Sequence, residues 1–182
     1  INGSIAMTNR DFTINEAELK NKFQFESCHL LNDWESIGYS LSTFQESDVS
    51  IIKPGIEFNS NSFFIGPGTG LGAALLIGDK NVIPTEIGNT TGLTKALLRN
   101  YNIDNDDHFR TLEDVLSGKA ISSIYEYKTG ERLTSEDIVA RYGADDEYAD
   151  LVVNGFIKSL AETISDMALT FISGKGVYIA GS

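Results

Sequence analysis

The spacing of hydrophobic and polar positions predicts a chain of alternating helices and strands. Apolar residues recur at steps of three and four from Asp145 to Ile172, which predicts a long amphipathic helix. The same spacing in shorter stretches predicts helices that start at Trp34, at Leu93, after Ser117 and over residues 134–142. Apolar runs separated by glycine-rich turns predict a three-stranded meander from about Phe63 to Val82, and a last buried strand at residues 176–181.

Weaker signals predict four further elements. A capping box at Thr13-Ile14-Asn15-Glu16 predicts a helix that continues to about Lys22. The apolar residues 28–31 and the stretch 48–52 predict two short strands. A second capping box, at Thr111-Leu112-Glu113-Asp114, predicts another helix start.

The glycine-rich turn of the meander is the most informative motif. Residues 66–72, Gly66-Pro67-Gly68-Thr69-Gly70-Leu71-Gly72, contain four glycines and lie between two apolar strands. Successive N–H groups in such a turn can bind one phosphate, and a plain hairpin needs only one or two glycines. A P-loop would end in Gly-Lys-Ser/Thr, and a dinucleotide fold would continue into a helix. The pattern therefore favours the actin-like, sugar-kinase class of α/β fold.

Composition excludes several classes of partner. The formal net charge of −12 argues against nucleic acid as a ligand. No apolar run reaches membrane-spanning length and no signal peptide pattern is present, so we expect no membrane association and, by default, a cytoplasmic location. The single cysteine, Cys28, excludes an internal disulfide framework, and its apolar context predicts a core position. Both ends of the chain interrupt a strand pattern, so we expect one partial domain of a longer protein.

Three acidic residues stand in contexts where a carboxylate could do chemistry. Asp33 lies between a predicted strand and a helix, where either it or Asn32 could instead cap the helix. Glu86 lies in a polar loop and could bind sugar hydroxyls or be surface charge. Glu113 lies in a first helical turn, where the helix dipole alone favours an acid.

Metal-binding patterns are weak. Residues 102–107 lack the glycine and the final glutamate of a calcium loop. His29 and His108 have no Cys or His neighbours at ligand spacing, so we predict no zinc site, a strand position for His29 and a solvated His108.

Taken in order, these segments resemble the bacterial-type glucokinases along nearly the whole chain. The matching segments are Thr8-Asn9, Leu31-Asn32-Asp33-Trp34, Gly66-Pro67-Gly68-Thr69-Gly70-Leu71-Gly72, Pro84-Thr85-Glu86-Ile87-Gly88-Asn89, Glu113-Asp114-Val115-Leu116-Ser117-Gly118 and Gly176-Val177-Tyr178-Ile179-Ala180-Gly181. The resemblance implies an actin-like ATPase (ribonuclease H-like) fold, mainly its larger C-terminal lobe, with residues from 1 to about 30 bordering a smaller lobe.

The resemblance also implies ATP-dependent phosphorylation of glucose or a related hexose at the 6-hydroxyl. Asp33 would be the general base. The sugar would be bound by Asn32, Asp33, Glu86, Asn89 and Glu113, and the nucleotide by Gly66, Gly68, Thr69, Gly70 and Gly181. Phosphoryl transfer needs mainly positioning, charge stabilisation and a carboxylate that orients the nucleophile, which suits these residue types.

This chain departs from the family pattern at several points. Asn89 stands where the family has a sugar-binding histidine, and Lys119-Ala120 replaces Pro-Gly after Ser117-Gly118. The family's Asp-x-Gly-Gly-Thr phosphate motif, which supplies the Mg²⁺-linked carboxylate, is absent from these residues. We therefore expect no metal ligand here and little or no kinase activity from the isolated chain. A homodimer of the full-length protein stays open.

Two other functions stay open as well. One is a non-catalytic sugar-binding or sensing protein on the same scaffold, which the Asn89 departure favours and the presence of Asp33 disfavours. The other is the related repressor/kinase family, whose cysteine-rich zinc motif follows the sugar loop. The position of Cys28 upstream of that loop disfavours this second reading.

Overall fold

The computed structural model describes residues 3–6, 12–104 and 106–181, so the Thr8-Asn9 segment lies outside the described residues. The strands are β1 (Ser4–Ala6), β2 (Thr13–Asn15), β3 (Ser62–Pro67), β4 (Leu71–Ile77), β5 (Asn81–Thr85) and β6 (Gly176–Ile179). The α-helices are α1 (Glu16–Phe23), α2 (Asp33–Ser40), α3 (Thr94–Leu98), α4 (Gly118–Thr129), α5 (Ser135–Arg141) and α6 (Glu147–Phe171).

A mixed four-stranded sheet forms the centre of the molecule, in the order β5-β4-β3-β6. The three strands β3, β4 and β5 pair antiparallel in sequence, which confirms the predicted meander. Strand β6 pairs parallel with β3, from Ser62 opposite Gly176 to Ile65 opposite Ile179. The helices α3 to α6 lie in the connection between β5 and β6, as a parallel pairing requires a long crossover.

Both faces of the sheet are covered, which explains why its central strands are apolar at nearly every position. Phe63 and Ile65 of β3 pack into the larger core with the helices α3 to α6. Phe64 of β3 points to the opposite face and packs into a smaller core with Trp34 and Ile37 of α2. Its ring stacks on that of Tyr178 with a centroid distance of 5.1 Å. The glycine-rich turn therefore ends two strands that are held from both sides.

The helices after the meander agree with the spacing of the sequence. The long helix α6 begins after Asp146, whose side chain caps it, and ends at Phe171. Thr134 caps α5 and Ser117 caps α4. The capping box at Thr111 is present, but it closes a single 3₁₀ turn, Leu112–Asp114, rather than a longer helix.

Several predictions about the first 60 residues were wrong. Thr13–Asn15 is a strand, and Asn15 rather than Thr13 caps α1. Residues 28–31 form no strand, because the N–H of Leu30 donates to the side chain of Glu16 at 2.7 Å rather than to a neighbouring strand. His29 is accordingly exposed and not in a strand, and Cys28 is half-buried rather than a core residue.

The stretch 48–52 is not a strand either. Its β-branched residues have no apolar surface to cover, since the side chains of Ile51 and Ile52 are 80% and 83% exposed. Local sequence favoured a strand there, but residues 3–6, 12–104 and 106–181 provide no partner strand for it.

The first described residues form a separate small unit. Strands β1 and β2 pair antiparallel, and helix α1 follows directly with no buried residue.

Across the part of the chain that the structure describes, no helix has the length and hydropathy required to cross a membrane.

Candidate active site

Two backbone hydrogen bonds of Gly68 hold the turn between β3 and β4. The N–H of Gly68 donates to the carbonyl of Gly70 across the turn at 2.9 Å. The carbonyl of Gly68 accepts from the N–H of Gly118, at the start of α4, at 2.7 Å. Gly68 therefore has no free N–H for a ligand. A phosphate could not be bound by the N–H groups of all three residues Gly68, Thr69 and Gly70. Among the hydrogen bonds of the described residues, none uses the N–H of Thr69 or Gly70, and the Thr69 side chain is exposed.

The space next to this turn is open on one side and filled on the other. A Cβ added to Gly68 would meet nothing within 4 Å. A Cβ added to Gly70 would lie 2.9 Å from a carboxylate oxygen of Glu113, so only glycine lets that carboxylate approach the turn. The tertiary structure thus places Glu113 directly beside the predicted phosphate-binding turn.

The loop after β5 lies against the same carboxylate. The Oε2 atom of Glu113 is 3.4 Å from the position of a Cβ on Gly88, which belongs to the 3₁₀ turn Ile87–Asn89. The N–H of Leu112 donates to the carbonyl of Thr90 at 2.8 Å and ties this loop to the turn that carries Glu113. A backbone hydrogen bond therefore connects the two predicted sugar-binding segments, the loop of Glu86 and Asn89 and the turn of Glu113.

Glu86 and Asn89 contact each other at the exposed surface of this loop. The Nδ2 of Asn89 donates to Oε2 of Glu86 at 3.0 Å. The backbone N–H of Asn89 also donates to the carbonyl of Glu86, at 3.1 Å. This arrangement orients the Glu86 carboxylate and leaves the side-chain oxygen of Asn89 as an acceptor.

Asn32 and Asp33 make different hydrogen bonds at the N-terminus of α2. The Oδ1 of Asn32 accepts from the N–H groups of Trp34 and Glu35, so Asn32 is the cap and its Nδ2 amide is left to donate. One carboxylate oxygen of Asp33 also accepts from the N–H of Trp34, at 2.9 Å. The Asp33 side chain is exposed and keeps its second oxygen for another partner.

Trp34 joins α2 to the end of the sheet. A Cβ on Gly66 or on Gly72 would overlap the indole of Trp34. The two glycines therefore allow the ring to lie against the sheet beside the glycine-rich turn. Because Trp34 follows Asp33 directly, this packing sets the position of the Asp33 carboxylate. No feature of the sequence pattern beyond helical spacing indicated this role for Trp34.

The last strand brings Gly181 to the same end of the sheet. The N–H of Ala180 donates to the carbonyl of Ile65 at 3.0 Å. A Cβ added to Gly181 would lie 3.4 Å from the carbonyl oxygen of Pro67, the last residue of β3 before the glycine-rich turn. Gly66 lies between Trp34 and the carbonyl of Ala180, so its role in this structure is to permit close packing.

The predicted residues thus gather at one end of the sheet but approach it from two faces. The segment with Asp33 packs on the face covered by α2, and Leu112, which precedes Glu113, is buried in the core of the opposite face. Within the described residues, no hydrogen bond joins Asp33 to Glu86, Asn89 or Glu113. A ligand at this edge would therefore contact groups that come from both faces.

Hydrogen bonds hold the turn that carries Glu113. Burial alone would raise the pKa of the Asp114 carboxyl, but hydrogen bonds from Thr111 and Arg110, with the positive charge of Lys119, lower that pKa below its usual range. Ser117 is buried, donates to the carbonyl of Glu113 at 2.7 Å and accepts from the N–H of Ala120 at 3.0 Å. Sequence analysis identified Ser117 only as the end of one helix, whereas it caps the next.

A cavity of about 240 Å³ lies beside the glycine-rich turn. Thr69, Glu113 and Ser117 line it together with Lys119 and His108. His108 is exposed as predicted, but sequence reasoning did not place it beside Thr69, since 39 positions separate the two residues. Among the described residues, no group of three His, Cys, Asp or Glu side chains could hold a metal ion, so no residue of this chain is assigned to Mg²⁺.

Comparison with known proteins gives one consistent result. The family model described as Glucokinase matches residues 1–182. A glucokinase of Pseudomonas paraeruginosa is 29% identical to this chain over 194 aligned positions, which cover 98% of this chain and 57% of the relative. The chain therefore spans little more than half the length of this curated relative.

Solved structures show the same fold. A glucokinase from an Antarctic psychrotroph superposes with a TM-score of 0.79 and 26% identity, over 99% of this chain and 60% of the other. A glucokinase from Balamuthia mandrillaris, solved in complex with glucose, superposes with a TM-score of 0.71 and 19% identity, over 100% of this chain and 60% of the other. These likenesses confirm the predicted actin-like sugar-kinase fold. Together with the family match along its whole length, they show that the chain belongs to the Glucokinase family.

Proposed function

We propose that the full-length protein containing this chain transfers the γ-phosphoryl group of ATP to the 6-hydroxyl of glucose. The observation that carries the proposal is the meeting of three segments at one end of the sheet. These are the glycine-rich turn with Thr69, the carboxylate of Glu113 against Gly70, and the loop of Glu86 and Asn89. Family membership supplies the reaction class.

Asp33 is the general base of the proposed reaction. Its carboxylate takes the proton of the 6-hydroxyl while the hydroxyl oxygen attacks the γ-phosphorus, and ADP leaves as the bond to the bridging oxygen breaks. One oxygen of Asp33 is already fixed by the N–H of Trp34, which leaves the second oxygen for the sugar. The packing of Trp34 on Gly66 and Gly72 keeps this geometry rigid.

The remaining sugar hydroxyls are assigned to the other polar groups of the edge. Asn32 offers its Nδ2 donor because its oxygen caps α2. Glu86 and Glu113 accept from hydroxyls, and Asn89 offers its side-chain oxygen while its amide orients Glu86. Carboxylates accept hydrogen bonds from hydroxyl groups with up to four lone pairs, which suits a polyol.

The nucleotide phosphates are assigned to the turn. Thr69 supplies a hydroxyl and an N–H, Gly70 supplies an N–H, and Gly68 leaves open space rather than a donor. Gly66 and Gly181 keep the neighbouring backbone close to the turn. Mg²⁺ would supply charge neutralisation of the phosphates, and its protein ligands are not assigned to the described residues.

Residues 1–182 are proposed to form mainly the larger lobe of the full-length kinase, with residues from 1 to about 30 bordering the smaller lobe. The sparse packing of α1, which has no buried residue, supports this division. Glucose and ATP would be the small-molecule partners, and the cytoplasm the proposed location.

The test is sugar-phosphate formation by the full-length protein with Mg-ATP and a panel of hexoses, followed by mass spectrometry. We expect glucose 6-phosphate from the full-length protein and little or none from residues 1–182 alone. Asp33→Asn should lower kcat by about 10²–10⁴-fold and leave glucose binding intact. Glu147→Gln is the matched control, because Glu147 holds the same first helical position in α6 and is also exposed.

Each other outcome has a defined reading. Product from a hexose other than glucose would assign the change in specificity to Asn89, which an Asn89→His variant would then test. Glucose binding without any product would refute the kinase proposal and favour a sugar sensor. Full activity of Asp33→Asn would refute the role of Asp33 as the base.

A further inference from the structure

The cavity beside the glycine-rich turn is lined by two basic side chains as well as by Thr69. Lys119 comes from the first turn of α4 and His108 from the loop before the turn that carries Glu113. Backbone holds the geometry, since the N–H of Gly118 donates to the carbonyl of Gly68 at 2.7 Å. Lys119 therefore directly follows Gly118, the residue whose hydrogen bond holds the turn.

The side chain of Lys119 has no hydrogen-bond or ion-pair partner among the described residues. A positive charge in the first turn of a helix is disfavoured by the helix dipole. The side chain is exposed, and none of the ion pairs within the described residues includes it.

The neighbouring acid, Asp114, interacts with Lys119 through charge alone and accepts no hydrogen bond from it. The Oδ2 atom of Asp114 already accepts three hydrogen bonds, two from Thr111 and one from the N–H of Arg110. Lys119 therefore retains its ammonium donors for a ligand in the cavity.

His108 is held by its backbone rather than by its ring. Its N–H donates to Oδ1 of Asp106 at 2.8 Å, and its ring contacts the edge of Phe109 with a centroid distance of 5.0 Å. The imidazole is exposed and lines the same cavity as Lys119. Its ring nitrogens can donate to an anion in that cavity.

We propose that Lys119 and His108 bind the phosphoryl group that is transferred, in the cavity that they line together with Thr69. The inference rests on the proposed function for the identity of that group. The hydroxyl of Thr69, the unused N–H groups of the turn, the Lys119 ammonium and the His108 imidazole together form a donor set for a phosphate dianion. Glu113 also lines the cavity and remains available for the sugar hydroxyls.

The experiment compares Lys119→Met and His108→Gln with matched controls in the full-length protein. Lys95→Met and His29→Gln are those controls, since both residues are exposed and neither lines the cavity. We expect Lys119→Met to lower kcat/KM for ATP by about tenfold and His108→Gln by a smaller factor, with glucose affinity in the absence of nucleotide unchanged. Lys119→Arg should restore most of the loss.

A second measurement does not depend on kinase activity. Inorganic phosphate is titrated into the protein while the amide signals of Thr69 and Gly70 are followed by NMR. We expect saturable shifts in the wild type and in Lys95→Met, and about tenfold weaker binding in Lys119→Met. Circular dichroism and thermal melting confirm that the variants are folded.

The outcomes separate the two proposals. An active kinase whose Lys119→Met variant matches the wild type in kcat/KM for ATP and in phosphate binding overturns the inference and leaves the proposed function standing. An inactive protein that binds phosphate in a Lys119-dependent way refutes the proposed function and leaves a phosphate site. Absence of phosphate-induced shifts in the wild type overturns the inference.

Discussion

The carboxylate of Glu113 lies 2.9 Å from the position that a Cβ would occupy on Gly70. The two residues are 43 positions apart in sequence, and the contact exists because the 3₁₀ turn of Glu113 packs beside the turn between β3 and β4. Gly70 therefore forms part of the turn and also lets an acidic side chain approach it, and only the second of these functions needs a glycine, because the φ of Gly70 is not positive.

Gly70→Ala should separate these two functions. The added methyl group displaces the Glu113 carboxylate, which costs the protein about one charge-assisted hydrogen bond to the sugar, or roughly tenfold in glucose affinity. Gly68→Ala is the matched control, since its methyl group would meet no protein atom within 4 Å and should leave glucose affinity unchanged. Calorimetric titration of glucose measures both. Equal glucose affinity in Gly70→Ala and the wild type would show that Glu113 does not contact the sugar.

Gly72→Ala should destabilise the fold through Trp34. A methyl group at this position overlaps the indole, and overpacking of this kind costs about 1–3 kcal/mol in the free energy of unfolding. Gly92→Ala is the control, because its Cβ would meet nothing within 4 Å. Urea denaturation measures the loss. The double variant with Trp34→Leu should show partial recovery, and strict additivity of the two single changes would contradict the proposed contact.

Asn32→Ala should affect both stability and sugar binding. The side chain caps α2, and the loss of such a cap costs about 1 kcal/mol. Asn15→Ala removes the equivalent cap of another helix, α1, and serves as the control. We expect both variants to lose stability, but only Asn32→Ala to raise KM for glucose. A raised KM in Asn15→Ala to the same degree would mean that the effect comes from stability alone.

Asp114→Asn should weaken the fold in a pH-dependent way. Burial opposes ionisation of Asp114, but the hydrogen bonds from Thr111 and Arg110 and the charge of Lys119 hold its pKa below the usual value near 3.8 in the folded state. A lowered pKa in the folded state adds stability that is complete above the unfolded pKa and is lost as the pH falls through the folded pKa. The variant should therefore be less stable than the wild type at pH 7, and the difference should shrink below about pH 4.

Denaturation curves across this pH range test that prediction. Asp137→Asn gives the comparison, because Asp137 accepts a hydrogen bond from Thr134 in a similar short segment but lies outside the cavity. A stability difference for Asp114→Asn that stays constant from pH 7 to pH 3 would contradict the charge argument.

The local pattern of the sequence determined the meander, the long helix α6 and the glycine-rich turn. Each of these depends on contacts between residues near one another in sequence or on a strict periodicity, so the pattern alone identifies it. The order of the acidic segments around the turn also identified the family that the comparisons confirm. The strands predicted at residues 28–31 and 48–52 are absent, since a β-branched or apolar run becomes a strand only where a partner strand is present.

Only the tertiary structure decided how the site is assembled. It placed Trp34 on Gly66 and Gly72, and it engaged the N–H of Gly68 within the turn itself. It also brought Lys119 and His108 beside Thr69. The contacts of Trp34, Lys119 and His108 join positions tens of residues apart, and they depend on which face of the sheet each segment covers. Periodicity records that a residue is buried or exposed, but it carries no information about the partner across the sheet.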